Sequence, residues 1–506
     1  MDVEERLDPL LTRFWEETRL RAVVPDTPPR SADPPQPLRA TWTAIADLLG
    51  LGYGERDGAV ITKGKTLMRA RTTPSAGALY PFEVMLALRG DTGYELYAYD
   101  VVGCCLRHTG AASFTDVAEL LDRPASGPRL PDAVVVPAGR PWQSMRKYGR
   151  RGYLYTLLDG GHAATNIALA AEDAGFRALV RLRLDRRRAA DLLGLAGRCR
   201  EPQALVELTA PADRRTHPHG PASNPFAVPI WRGRDEAPVE DLTAAEIAAW
   251  KSVQSISAFH NPTTLPPAYG SSRSLAAGPR PTAEPSTEGA AAVRLAPAGN
   301  PGPLRFRTAV LRRRSAKGFR PARIGADDLG KVLVHTGRRT AMDCVDGPLP
   351  ALRVLIRDVE GIEPGSYVYD PDDHVLLRIG DGGDDAALTG ACMGQGVVHN
   401  AALLLVLHAP VRPLLGARGR QGLAELHFHA AGAAQRLCLG AAEQGLGITC
   451  LGGFDTGRVA DLVHLEGPEE VVYVLAGGVP DESAVKWDRA PVAYSHGLGP
   501  GPAQDR

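Results

Sequence analysis

The run Lys147-Tyr148-Gly149-Arg150-Arg151-Gly152-Tyr153 puts an amine beside a phenol, a pair able to take up and pass on a proton. Both groups titrate near ~10 when unperturbed, so either needs burial or a cationic neighbour to act as a base at neutral pH. A second cluster, Arg313-Arg314-Ser315-Ala316-Lys317-Gly318-Phe319, gathers two guanidinium groups, a hydroxyl and an ammonium within five residues. That set suits a phosphate, because the arginine fork and the lysine point charge both match phosphate oxygens. A third, Arg71-Thr72-Thr73-Pro74-Ser75-Ala76-Gly77-Ala78-Leu79-Tyr80-Pro81, is a turn held between two prolines, with small residues that let a planar group approach the backbone. The fourth, Leu446-Gly447-Ile448-Thr449-Cys450-Leu451-Gly452-Gly453-Phe454-Asp455, reads as a glycine-containing turn after a helix, whose amides can donate to a ring nitrogen or a carbonyl oxygen. Taken singly, each has an ordinary alternative: a surface pair, a solvated basic run, a tight loop and a helix stop. His162, His427 and His429 read as satisfied histidines, because no Asp or Glu spacing around them makes a metal site.

The elements that must position these clusters follow from hydrophobic period. Glu83 to Leu88 and Gly93 to Tyr99 read as strands, and His162 to Ala174 as a helix rich in Ala and Leu. Leu352 to Ile356, Ser366 to Tyr369, Ala401 to Leu407, Ala430 to Gln444 and Val471 to Leu475 repeat and complete that pattern. Short turns join Val354, Tyr367 and Val375 into a meander, which favours an α+β fold with a mixed, mostly antiparallel sheet over a doubly wound parallel one. A short helix is expected within Leu242 to Ser255, opened by a capping box of Thr243 and Glu246 and packed on the first part of the chain.

The chain has 506 residues, too many for one ordinary domain. Its 58 basic and 58 acidic side chains balance, so no overall field concentrates it on nucleic acid or an anionic membrane, and any anion site is local. Without a basic n-region, an apolar h-region or a long aliphatic run, the sequence predicts a cytoplasmic protein. Seven scattered cysteines with no Cys-x-x-Cys pair signal neither a disulfide framework nor structural zinc.

The chain also repeats itself. Tyr97-Ala98-Tyr99-Asp100 returns 270 positions later as Tyr367-Val368-Tyr369-Asp370, and the same offset pairs Gly149-Arg150 with Gly419-Arg420 and Leu169 with Leu439. Two fused copies of one domain are expected, over residues 1–222 and 304–506, with a helical segment and Pro/Gly-rich linker over 223–303. The chemistry lies where the copies differ. The first retains Pro74 to Gly77 and Lys147-Tyr148, against Cys344 to Gly347 and Ala417-Arg418 in the second. The second retains Arg313 to Lys317 and Leu451-Gly452-Gly453, against Arg30, Ser31, Asp33 and the glycine-free Val180 to Arg183 in the first.

Together these segments resemble the nitroreductase-like flavoprotein superfamily, and within it the SagB-type peptide dehydrogenases that oxidise azoline rings in ribosomally made peptides. The resemblance spans most of both copies and rests on the Arg-Arg-Ser-x-Lys-x-Phe opening, the Pro-Ser-x-Gly loop, the Ala-rich helix ending in Gly-Leu-Gly and the Lys147-Tyr148 segment. It implies two nitroreductase-like domains forming an intrachain pseudo-dimer. It also implies one FMN held by Arg313, Arg314, Ser315, Lys317, Leu451, Gly452 and Gly453 from one copy and Pro74, Ser75, Ala76 and Gly77 from the other. The resemblance further implies that Lys486 and Arg489, which match the superfamily's closing basic pair, complete the phosphate pocket. The implied reaction moves a hydride to flavin N5, with Lys147 as base, activated by desolvation and by Arg146, Arg150 and Arg151, and Tyr148 as orienting or relay group. The implied substrate is a modified precursor peptide of thiazole/oxazole antibiotic biosynthesis, thiopeptides included, and a cyclodehydratase partner is left open. Two other readings stay open: a general NAD(P)H-dependent nitro or quinone reductase, and a non-catalytic scaffold.

Overall fold

A computed structural model describes residues 40–61, 67–101, 104–124, 130–211, 230–232, 242–257, 259, 292–296, 304–344 and 349–484. Lys486, Arg489, Arg30, Ser31 and Asp33 lie outside the described residues.

Alternation of apolar side chains builds two sheets. The first comprises β3 (Phe82–Arg89), β4 (Tyr94–Asp100), β5 (Cys105–Ala112), β6 (Ala133–Gly139), β7 (Arg177–Arg181), β8 (Glu201–Pro202), β9 (Leu205–Thr209) and β10 (Ile230–Arg232), after a separate hairpin of β1 (Glu55–Ile61) and β2 (Leu67–Arg71). Its order is β10-β5-β4-β3-β6-β9-β7, with β8 added to β6. The second comprises β11 (Ala292–Arg294), β12 (Ala351–Ile356), β13 (Gly365–Asp370), β14 (Val375–Gly380), β15 (Leu403–Ala409), β16 (Gly447–Leu451) and β17 (Glu470–Gly478). Its order, β11-β14-β13-β12-β15-β17-β16, repeats the first strand for strand from the meander onward. The pairing is antiparallel throughout except for β10 on β5.

The period of two in each strand sends side chains to two different cores. Val84, Leu86 and Leu88 of β3 pack toward the helix Arg151–Asp173, whereas Met85 and Ala87 pack with Val117, Ala118, Ala189 and Ala190 of two short helices on the opposite face. In the second half Val354 and Ile356 share a core with the helix Val411–Glu443, and Leu355 lies with Leu388 and Val459 beyond the other face. Both faces of each sheet are therefore covered, which explains why these strands are nearly continuous in apolar residues.

The two long helices join the halves. A Cβ on Gly161 would lie 2.6 Å from Ala431 Cβ and 2.9 Å from Phe428 Cα. Gly161 and Ala431 are 270 positions apart, so the crossing lies on the pseudo-twofold axis. Beside it His162 Nδ1 meets Gln435 Oε1 at 2.9 Å, and Gln435 Nε2 donates to Asn166 Oδ1 at 2.8 Å, so this buried contact carries a connected polar network.

Three expectations change in extent. The first long helix starts at Arg151, not His162. The second long helix starts at Val411, not Ala430, with a break at Gly419 (φ 56°, ψ −138°). Gly149, at the matching place, has φ 58° and ψ −149°, a conformation open only to glycine, and there it separates the helix Pro141–Tyr148 from Arg151–Asp173. Within 223–303, β10 and β11 each add an edge strand to a sheet. The helix Ala244–Lys251 carries the expected Thr243/Glu246 capping box and reaches Arg146 of the first half through Glu246. No helix among the described residues is long and apolar enough to cross a membrane.

Candidate functional site

The loop Pro74 to Tyr80 is held in a costly shape by its surroundings. Gly77, Ala78 and Tyr80 have φ of 62°, 55° and 47°, and strain of this kind persists only where neighbours over-determine it. Ser75 Oγ donates to Asp159 Oδ2 at 2.5 Å and accepts from Tyr80 N at 2.9 Å, while Ala76 N donates to the same carboxylate at 3.2 Å. Asp159 is 5% exposed on the helix Arg151–Asp173, and burial pushes its carboxyl up to about 7 against the lowering effect of the Ser75 and Ala76 hydrogen bonds. Gln143 Nε2 donates to Leu79 O at 2.9 Å, tying the loop to the helix that carries Lys147.

Lys147 and Tyr148 converge on this loop. A Cβ at Gly77 would fall 2.3 Å from Tyr148 Oη and 3.1 Å from Lys147 Nζ, so glycine is required by space as well as by φ. Tyr148 is buried and meets the Tyr155 ring edge-on at 5.0 Å, and Lys147 is half-buried with Nζ 5.6 Å from the Tyr148 ring centroid. Tyr155 carries the connection across the pseudo-axis: its hydroxyl donates to Gly452 O at 2.5 Å and accepts from Arg151 Nε at 3.1 Å.

The basic cluster arrives at the same place from the second half. Arg313 Nε and Nη2 donate to Thr72 O and Arg71 O, each at 2.9 Å, directly before the Pro-Ser loop. Ser315 bridges to Ile448 of β16, and Ala316 N donates to Ile448 O at 3.2 Å, so the cluster runs beside the strand that ends at the Gly452-Gly453 turn. All four clusters thus adjoin one another. Arg313, 4% exposed, is a strut between the halves, which leaves Arg314, Ser315 and Lys317 as the partly or fully exposed donors suited to a phosphate. The segment Leu446 to Asp455, expected as a turn, is an edge strand to Leu451, and only Gly452 onward is turn.

The donor set fits a polar, anionic cofactor. Arg314, Ser315 and Lys317 supply cations and a hydroxyl, Tyr148 and Tyr155 supply an aromatic wall, and buried Thr72 Oγ1 has no hydrogen-bond partner among the described residues. Asp159 and Tyr155 were missed as site residues. The available signal was a lone carboxylate in the otherwise uncharged run Leu157-Leu158-Asp159-Gly160-Gly161. His427 is buried, bonded to Leu423 O at 2.7 Å and lowered to about 4 by burial, which is a core histidine.

The mirror-related positions hold different chemistry. At the 270 offset Thr73, Tyr148, Arg151, Tyr155, Gly452 and Gly453 correspond to Asp343, Arg418, Gln421, Glu425, Leu182 and Arg183. Asp343 accepts from Leu182 N at 2.8 Å and Arg183 N at 3.1 Å, the amides equivalent to those of Gly452 and Gly453. Glu425 takes Arg183 Nε at 3.1 Å and Arg418 Nη1 at 2.7 Å, and Arg186 Nη1 donates to Gln421 Oε1 at 3.1 Å. The chain's own side chains fill this second position. A cleft of about 540 Å³ elsewhere, lined by Leu355, Arg357, Asp358, Asp385, His399 and Asn400, contains none of the candidate residues, and Arg357 pairs with Asp385 inside it.

Comparison with known proteins places these positions in context. The model of the nitroreductase family matches residues 62–208 and 310–479, together more than half of the chain. A putative nitroreductase from Methanocaldococcus jannaschii is 28% identical over 113 residues, covering 22% of this chain, and the chain spans 57% of that relative's length. The crystal structure of a putative nitroreductase from Anabaena variabilis superposes with a TM-score of 0.68 at 21% identity, covering 87% of this chain and 88% of its own. The Escherichia coli microcin synthetase McbBCD complex with truncated pro-MccB17 matches over 42% of this chain and 86% of its own, at 20% identity and a TM-score of 0.29, too low to speak to function.

Proposed function

From the premise that the chain belongs to the nitroreductase family and is an oxidoreductase of that family, we propose that it is an FMN-dependent dehydrogenase that oxidises thiazoline or oxazoline rings to azoles in a modified precursor peptide. FMN, when bound, supplies the acceptor for the hydride that leaves the ring carbon. Arg314, Ser315 and Lys317 would hold its phosphate, and the Gly452-Gly453 turn and the Pro74 to Gly77 loop its ring system. Lys147 Nζ takes the ring proton and Tyr148 Oη orients or relays it. Tyr148 and Tyr155 wall the site against water, and Asp159 keeps the loop facing the pair.

The observation that carries this reading is the meeting of Lys147 Nζ and Tyr148 Oη at Gly77, with Gly452 of the other half bonded to Tyr155, which packs edge-on against Tyr148. An ordinary flavin reductase has no need of a paired amine and phenol at that place. Lys147→Ala should leave the purified protein yellow at unchanged flavin content while azoline oxidation falls at least about a hundredfold, the usual scale for loss of a general base. Retained turnover removes Lys147 from the mechanism. A second reading, an NAD(P)H-dependent nitro or quinone reductase, draws on the description of the Methanocaldococcus jannaschii relative as a putative nitroreductase. Rapid NAD(P)H consumption with a nitroaromatic acceptor, unaffected by Lys147→Ala, favours it instead.

A further inference from the structure

The proposed reaction leaves one nucleophilic pair unused. Cys438, on the helix Val411–Glu443, is 4% exposed, and Cys450, in β16, is half-buried; their sulfurs are 3.9 Å apart. The tight turn after Glu443 folds the end of the helix back on β16, with Gln444 N donating to Ala441 O and Leu446 N to Ala441 O. Cys450 is two residues before Gly452, at the base of the turn whose Gly452 carbonyl accepts from Tyr155. The 270-offset counterparts are Ala168 and Val180, so the thiol pair, like the Lys-Tyr pair, occurs in one half only.

We propose that Cys438 and Cys450 form a reversible disulfide that ties the long helix to the root of the Gly452-Gly453 turn. Closing the bond brings the sulfurs from 3.9 Å to about 2.05 Å. With hydrogen peroxide as oxidant, the Cys450 sulfur attacks one peroxide oxygen and the other leaves as water, giving a sulfenic acid. The Cys438 sulfur then displaces that hydroxyl as a second water, so the two thiols lose two hydrogens and two electrons and the peroxide is reduced. Cys450 is the first to react: it is the more exposed of the two, and the hydrogen bond from the Cys438 thiol, aided by His162, holds it below the ordinary thiol range. The same contact pushes Cys438 up, as befits the resolving partner.

The test is made on the purified full chain, independently of any flavin or substrate. After brief treatment with hydrogen peroxide and quenching, denatured protein should show five free thiols in place of seven and a mass lower by about 2 Da. Peptide mapping should link the Cys438 and Cys450 peptides, and dithiothreitol should restore both thiols. Cys438→Ala should leave Cys450 as a trappable sulfenic acid, and Cys450→Ser should leave Cys438 reduced, with melting curves confirming that each variant is folded. Seven thiols after treatment, or a link through any other cysteine, overturns the proposal. Because the readout is mass and thiol count, it stands or falls separately from the azoline reading.

Discussion

At Asp159 one carboxylate does two opposed things. Its burial is unfavourable to the charged form, yet the charged form is the better acceptor for Ser75 Oγ and Ala76 N, which shape the loop under Lys147 and Tyr148. The folded-state value of about 7 lies above the ordinary value of 3.8, so the folded chain holds this proton more tightly than the unfolded one. The linked stability is therefore complete below about pH 4 and is lost as pH rises through about 7. Asp159→Asn keeps an acceptor oxygen and removes the titration. Urea unfolding from pH 4 to pH 8 should show the wild type losing stability relative to this variant, by up to about 4 kcal/mol, since each tenfold difference in proton affinity between the folded and unfolded chain is worth ~1.4 kcal/mol. Parallel curves would mean that Asp159 does not titrate in this window. The role of Asp159 was hard to read in advance because it depends wholly on a loop 83 residues away in the chain. Lys147 and Tyr148 were singled out through the resemblance that their segment carries, and the structure sets both beside Gly77.

At the scale of elements, the strands were legible and the long helices were not fully so. Val84 to Leu88 and Val354 to Ile356 advertise a sheet through β-branched and aliphatic residues, and the meander that follows each shows in the short turns. The first residues of the Val411–Glu443 helix are rich in arginine and glycine and contain Pro413, so hydrophobic period alone did not reach them. The edge strands β10 and β11 are three residues each, too short to rise above the proline-rich composition around them. Glycine weakens a helix by propensity, yet at Gly161 it permits the close helix contact on the pseudo-axis. Gly161→Leu drives a branched side chain into Ala431 and Phe428 and should destabilise the chain by about 1–3 kcal/mol, the usual penalty for overpacking. A melting curve tests this, and an unchanged midpoint would place the crossing elsewhere. Gly194, by contrast, has open space around it, so Gly194→Ala probes only its backbone conformation and provides a control for steric crowding.

Across the whole molecule, duplication followed by divergence has produced two equivalent locations with opposite fates. At one, the carbonyl of Gly452 accepts from Tyr155, which packs edge-on against Tyr148. At the other, Asp343 takes the Leu182 and Arg183 amides, and Glu425 neutralises Arg183 and Arg418 in place of Tyr155. Burial pushes Asp343 up to about 6, opposed mainly by the Leu182 amide, with Arg181 and Arg183 assisting, so its position is held by hydrogen bonds that a ligand would otherwise receive. Single occupancy follows from this arrangement, on the proposed reading of the cofactor: flavin extracted from the purified chain should approach one per chain, and a value near two would sink the asymmetric scheme. Asp343→Ala frees both amides but leaves Glu425, Arg183 and Arg418 in the space, so the ratio should stay at one. Glu425→Ala removes the nearly buried carboxylate that both Arg183 and Arg418 contact, and breaking a buried pair in this way costs about 3–5 kcal/mol, so that variant should melt earlier with the flavin ratio still unchanged. A variant that gains flavin on losing either carboxylate would show that the second location is occluded, not lost.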